Sequence, residues 1–554
     1  MRTQPWKITA LMLISIALLA ASAGACPYCG KNRAYLDSMP TKLMDGRGNH
    51  HHPVSTNNTE AQAYFDQGLT MCYAFNHDEA IRSFRKAAAL DSNLAMAYWG
   101  IAYALGTNYN RPIDSLQAAG ALEAISKAQQ LAQYAPQAER DYIAAMAKRY
   151  TGGAKADYVK NEVAYRDAMK ELAAKYPDDM DALTIYGESM MNLKPWQLWK
   201  PDGSPEEGTP EIVAALEKVL QRNPDHPGAN HYYIHAVEAS RYPDKALASA
   251  HRLENLVPVA GHLVHMPAHT YIRTGDYMGA VEANRRAVHM DSLYVNEGGV
   301  GFYGLVYFPH NLHFLAVSSA IAGRYQEAMQ AVDLLEKNVF PYANVDPMMG
   351  ILVPTRYFVL LLFNKWDEIL KTNVPDHGYV LTQAIQRFAH GMAYAAKKDI
   401  KKANAELAQV RTLTANLPAG CYLSMNNDAR NAVPIMVNML SGAIAEAEGK
   451  IADAEKSLRD AVAAQDSLRY DEPEGWYFNA REALAALLLR NGRAADAEKL
   501  FRAELVAHPR AGRALYGLWQ SLEQQGRVAD AQHVRLEFER AWRDADVELQ
   551  LSEL

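Results

Sequence analysis

From Ala61 onward the chain repeats itself with a period of about 34 residues, which constrains the fold more than any single motif. In the stretch AQAYFDQGLTMCYAFNHDEAIRSFRKAAALDSNL (Ala61 to Leu94), Gly68, Ala80, Phe84 and Ala87 stand at positions 8, 20, 24 and 27 of the unit. Other copies carry Gly187 at position 8, Ala246 and Pro258 at 20 and 32, and Tyr271, Ala280 and Ala287 at 11, 20 and 27. Gly391, Tyr394 and Ala403 follow, then Gly442 and Ala454, then Ala497, Phe501 and Pro509. A unit of this kind is two antiparallel helices whose small residues allow close crossing. Proline at position 32 ends the second helix because it cannot donate to the ladder. No run of alternating apolar residues between turn pairs promises a sheet.

This spacing resembles that of the tetratricopeptide repeat family, over nearly all of residues 60 to 540. The resemblance implies an all-α, right-handed superhelical solenoid of roughly ten helix pairs. It also implies that positions 4, 7, 8 and 11 of each first helix pack inside, while 2, 5, 9 and 12 face a concave groove. The fold leaves function open, because such solenoids host many roles. Apolar residues at 49% and charged residues at 21% exclude a mainly disordered chain. The net charge of −7 argues against a nucleic-acid partner. Four cysteines (Cys26, Cys29, Cys72, Cys421) are too few to staple a chain of this size.

Residues 1–25 read as a signal peptide: Arg2 and Lys7, an apolar run from Ile8 to Ala21, then Ala23-Gly24-Ala25. The expected location is outside the cytoplasm, periplasmic or anchored in a bacterial envelope by a lipid on Cys26, the only membrane link foreseen. Residues 26–59 read as a flexible linker. Repeats follow at 60–175, 176–340 (histidine-rich) and 341–545, with a tail at 546–554. Cys26-Pro27-Tyr28-Cys29 matches a dithiol motif without its strand-to-helix context. His50-His51-His52 is either a metal-capturing triplet or a solvated piece of linker.

Ten of the 18 histidines lie between His226 and His313. Counting units from Pro227, Gly261 and Pro309 puts His231 and His235 at positions 5 and 9, and Glu238 at 12. His262, His265 and His269 then fall at 2, 5 and 9, and His310 and His313 at 2 and 5. Glu188 falls at position 9 of the repeat starting at Met180. Imidazoles at i and i+4 can share a metal ion, and parallel stripes on neighbouring helices supply further ligands. The seven histidines are therefore candidate ligands for one or two transition-metal ions (Cu, Zn, Fe or Mn), with Glu188 or Glu238 as ligand or general base. Pro267 must kink the helix that carries His262, His265 and His269, or delay its start.

Two insertions flank these repeats. Residues 194–210 carry Trp196 and Trp199, and 293–308 form a glycine-rich aromatic stretch with Phe302, Tyr303 and Tyr307. Both are expected to cover an organic substrate as a lid. Glu472, Trp476, Tyr477 and Arg481, in the segment Tyr470 to Arg481, reach the same groove only if the superhelix turns back on itself. Three functions compete: a metalloenzyme, a scaffold that binds a peptide or partner protein in its groove, and a metal storage or delivery protein.

Overall fold

A computed structural model describes residue 39 and residues 41–554, apart from 154–155, 344–346, 374 and 376–377. The leader, Cys26 and the dithiol motif lie outside the described residues. The described chain is helix after helix, with three isolated bridges and no strand. Its helices pair into twelve hairpins, more than the ten or so expected, and form a solenoid of tetratricopeptide type. No described helix is long and apolar enough to cross a membrane.

The repeat signature has a steric cause. A Cβ at Gly68 or Gly100 would stand 2.7 or 2.5 Å from the Phe84 ring, so both glycines exist to admit that ring. Phe84 is fully enclosed, and trimming it to alanine would cost about 3–5 kcal/mol. Side-chain caps start many of the helices, Asn58, Asp179, His226 and Asp276 among them.

Nine helices build or flank the histidine cluster. They are α1 (Thr59–Tyr73), α2 (His77–Leu90), α3 (Met180–Met191), α4 (Pro227–Val237), α5 (Leu247–Leu256), α6 (Gly261–His265), α7 (Pro267–Thr274), α8 (Tyr277–Gly298) and α9 (Gly301–Ile321). Pro267 splits what would be one first helix into α6 and α7, with Met266 still in helical conformation at the joint. The stretch 293–308 is no loop. It completes α8, breaks at Gly299 with φ +76°, and opens α9, which runs through Pro309. The repeat therefore starts at Gly301, not at Pro309.

Two long-range contacts close the coil. The C-terminal repeats fold back on the central ones: Asp546 accepts from the backbone N–H groups of Tyr325 and Gln326 at 2.7 and 2.9 Å. At the other end, residues 41–58 form a strap across α1 and α3. Met44 donates to Gln67, Val259 donates to the carbonyl of Gly46, and Ser55 donates to Glu139. His50 and His52 are part of this strap and are largely enclosed, while His51 between them is exposed.

Candidate metal centre

Six of the seven proposed histidine ligands meet in the interior as two triads. His231, His235 and His262 form one, from α4 and α6; His265, His269 and His310 form the other, from α6, α7 and α9. Within each triad one nitrogen per ring lies within 4.8 Å of the others. Nε2 of His262 is 3.2 Å from Nε2 of His231. Nε2 of His265 is 2.9 Å from that of His269 and 3.1 Å from that of His310. α6 serves both triads, with His262 in one and His265 in the other, and His269 follows Pro267 on α7. All of these rings are buried except His310, which is partly open.

The outer nitrogens are tied down. Nδ1–H of His231 donates to the carbonyl of Tyr73 at 2.6 Å, and Nδ1–H of His265 to Oδ1 of Asn284 at 2.6 Å. The amide of Asn284 is oriented by its own N–H donation to Ala280. Glu238 spans both triads, accepting from Nδ1 of His235 at 2.9 Å and of His269 at 2.6 Å. A neutral imidazole that donates from Nδ1 has a bare lone pair on Nε2. With both rings neutral, the lone pairs of His265 and His269 face each other at 2.9 Å, and Nε2 of His235 has no partner among the described residues.

Burial, reinforced by the neighbouring rings, holds His231, His262, His265 and His310 well below the ordinary histidine range. Burial alone would raise Glu238, but His269 and His235 outweigh it and hold the carboxyl down to about 2. What remains is a nest of imidazole nitrogens around a fixed carboxylate, an arrangement that can orient histidines on a metal. All-imidazole donors suit copper, zinc, iron or nickel better than calcium or magnesium.

One phenylalanine packs on each triad. Phe75, at φ +54° in the turn between α1 and α2, lies 4.5, 5.3 and 6.1 Å from the rings of His231, His262 and His235. Phe314 lies 4.9, 5.1 and 5.9 Å from those of His265, His269 and His310. Neither is legible from histidine spacing, although Phe314 directly follows His313.

Three expectations need correction. His313 joins neither triad; its ring lies 6.1 Å from Tyr477, and burial takes it down to about 4. Glu188 sits apart, accepting from the Tyr103 hydroxyl at 2.7 Å and from Asn192 at 3.0 Å, because register on α3 points it at the first repeats instead. Glu238 has both oxygens engaged by imidazoles, so it is not free to act as a general base, while its place as a candidate ligand stands, grouped with His235 and His269.

The aromatic insertions are walls. Tyr307 packs 4.8 Å from His262, and the Tyr303 hydroxyl accepts from the N–H of His262 while donating to Asp291. Phe302 lies under the guanidinium of Arg111, 4.2 Å from ring centroid to Cζ. Trp196, at φ +61°, stands 5.4 Å from His235 and donates from its indole to Asn110; Trp199 donates to the carbonyl of Ala236.

A second histidine cluster surrounds Asp181 of α3. His50, His226 and the Tyr73 hydroxyl reach Oδ1 at 3.0, 3.1 and 2.6 Å, and His52 reaches Oδ2 at 2.9 Å. Nδ1 of His226 accepts from the N–H of Ala229, so its proton sits on Nε2 and points at Asp181. Burial opposes charge on His52, yet its hydrogen bond and attraction to Asp181 carry it up to about 9. Here each imidazole meets a carboxylate oxygen, although His50, Asp181 and His226, and His52, Asp179 and Asp181, are also close enough together to hold an ion.

Neither a family model nor a curated protein matches the chain. Solved structures similar to it include a human IFIT1 dimer with m7Gppp-AAAA, 13% identical at a TM-score of 0.30, covering 89% of this chain and 92% of that one. Yeast Tom70 is 13% identical at 0.30, with 89% and 93% covered. The TPR domain of P58(IPK) is 12% identical at 0.20, with 84% and 99% covered. At these scores the fold rests on the hairpins themselves.

Proposed function

We propose that the chain is an exported metalloprotein whose solenoid holds a pair of transition-metal ions, one on each imidazole triad, where a small organic molecule reacts. The observation that carries this reading is the convergence of three buried ring nitrogens in each triad within 4.8 Å of one another, with the Nε2 atoms of His265 and His269 2.9 Å apart. Copper is the first choice of metal. Divalent copper stands highest in the affinity order for nitrogen sites among the first-row metals. A bound copper pair would supply redox chemistry and open coordination positions. The protein's own residues orient the imidazoles through Tyr73, Asn284 and Glu238, and exclude water with Phe75, Phe314 and Tyr307.

The test is elemental analysis of the full chain purified from an exported fraction, or refolded and loaded with copper. About two ions per chain are expected, falling to none when His231 and His265 are both replaced by alanine. A folded chain that retains no transition metal under either preparation rejects the reading. A second reading, a groove that binds a peptide or partner protein, draws on the cavity of about 1080 Å³ between Trp199 and Arg481. A folded double-alanine variant that keeps its peptide partner would favour that reading.

A further inference from the structure

The partly open ring of the second triad borders a small chamber of about 70 Å³. One wall is His310, His313 and Trp196; the facing wall comes from the C-terminal half that folds back, with Phe358, Leu423 and Glu472 on it. A single water needs roughly 10–15 Å³ by the same measure, so the chamber holds a molecule of a few heavy atoms. No lysine or arginine lines it among the described residues. Asp471, on its rim, has both oxygens taken by Ser424, Asn426 and Asn427. Glu472 is different: one oxygen accepts from the Tyr470 hydroxyl at 2.6 Å, and the other has no partner among the described residues. The large polar cavity outside shares Trp196, Asp471 and Gly475 with this chamber and is ringed by arginines, including Arg241, Arg469 and Arg510.

We infer that the chamber between His310 and Glu472 is where the metal pair meets its substrate, and that it admits a small uncharged molecule that takes a hydrogen bond from Glu472. The inference rests on the metal-centre reading and adds to it the class of ligand. An anion would find no counter-charge inside and would be held by the arginines of the outer cavity, while a bulky molecule would not fit. Burial pushes the Glu472 carboxyl well above its usual range, which favours the neutral form that can donate an O–H. His313, neutral for the same reason, adds no charge to the opposite wall.

The test uses the full chain loaded with copper(I) under anaerobic conditions, with metal content measured on each sample. Carbon monoxide is bound and followed by its infrared stretch, then displaced by methyl isocyanide, tert-butyl isocyanide, acetamide or acetate. Methyl isocyanide should displace it at least tenfold more effectively than the tert-butyl compound, and acetamide at least tenfold more effectively than acetate. Leu423→Trp, which fills the chamber, should weaken carbon monoxide binding at least tenfold with both ions retained; Phe358→Ala should admit tert-butyl isocyanide. Glu472→Gln should shift the carbon monoxide stretch without altering metal content. Equal displacement by large and small isocyanides, or by acetate and acetamide, overturns the inference while copper retention leaves the metal centre standing. A wild-type chain that holds no copper overturns both.

Discussion

Two buried histidine clusters sit in the same half of the molecule, and they differ in where their carboxylate stands. Around Asp181 the carboxylate is at the centre, and His50, His52, His226 and Tyr73 all aim protons at it. Around the double triad the carboxylate, Glu238, is at the rim, and the imidazoles turn their proton-free nitrogens toward each other. The first cluster is complete as a hydrogen-bonded knot that pins the strap to α3. The second brings ring nitrogens close enough together to hold a cation. Counting histidines cannot tell these apart; following each proton can.

The sharpest way to break this contrast is to delete rings from each cluster and count metal. Loss of His231 and His265 should abolish bound metal, whereas His50→Ala with His52→Ala should leave about two ions per chain. Metal loss in the His50/His52 variant would mean that the Asp181 cluster is also a metal site. Next in size is Asp181→Ala. It strips the acceptor from three imidazoles and a tyrosine, and should cost on the order of 3–5 kcal/mol by denaturant titration while metal content holds.

The knot also predicts a pH dependence that the triads do not share. Because His52 is raised from about 6.5 unfolded to about 9 folded, its contribution is full below about pH 6.5 and is lost as pH rises through about 9. The difference in stability between the wild type and His52→Gln should therefore shrink by about 3 kcal/mol across that window. A difference that stays constant with pH would show that His52 is neutral in the knot. Smaller still is Glu238→Gln, expected to weaken metal binding about 10- to 100-fold, because it spoils the orientation of His235 and His269 without removing a ligand. Glu188→Gln should leave metal affinity unchanged; a tenfold loss would put Glu188 back among the site residues.

Much of the fold was legible because each repeat obeys a local rule. A glycine at position 8 admits a bulky side chain from the facing helix, Phe84 at Gly68, Leu216 at Gly187 and Leu458 at Gly442. The helical stripe also brought out the six triad histidines. Phe75 was invisible because it lies in a turn 156 residues before His231, in a left-handed conformation that carries no pattern. The stretch 293–308 read as a loop because its glycines suggested freedom, but apolar burial of Tyr303 and Tyr307 made it helix.

The sequence by itself determined the helical hairpins, their stacking and the stripe of imidazoles, since each depends on residues a few turns apart. Tertiary structure alone decided that the stripe divides into two triads, that His313 and Glu188 fall outside them, and that Glu472 comes round to face His310. The physical reason is accumulation. The kink at Pro267 and the small rotation from each hairpin to the next add up over hundreds of residues, and no local spacing records where the two ends of such a coil will meet.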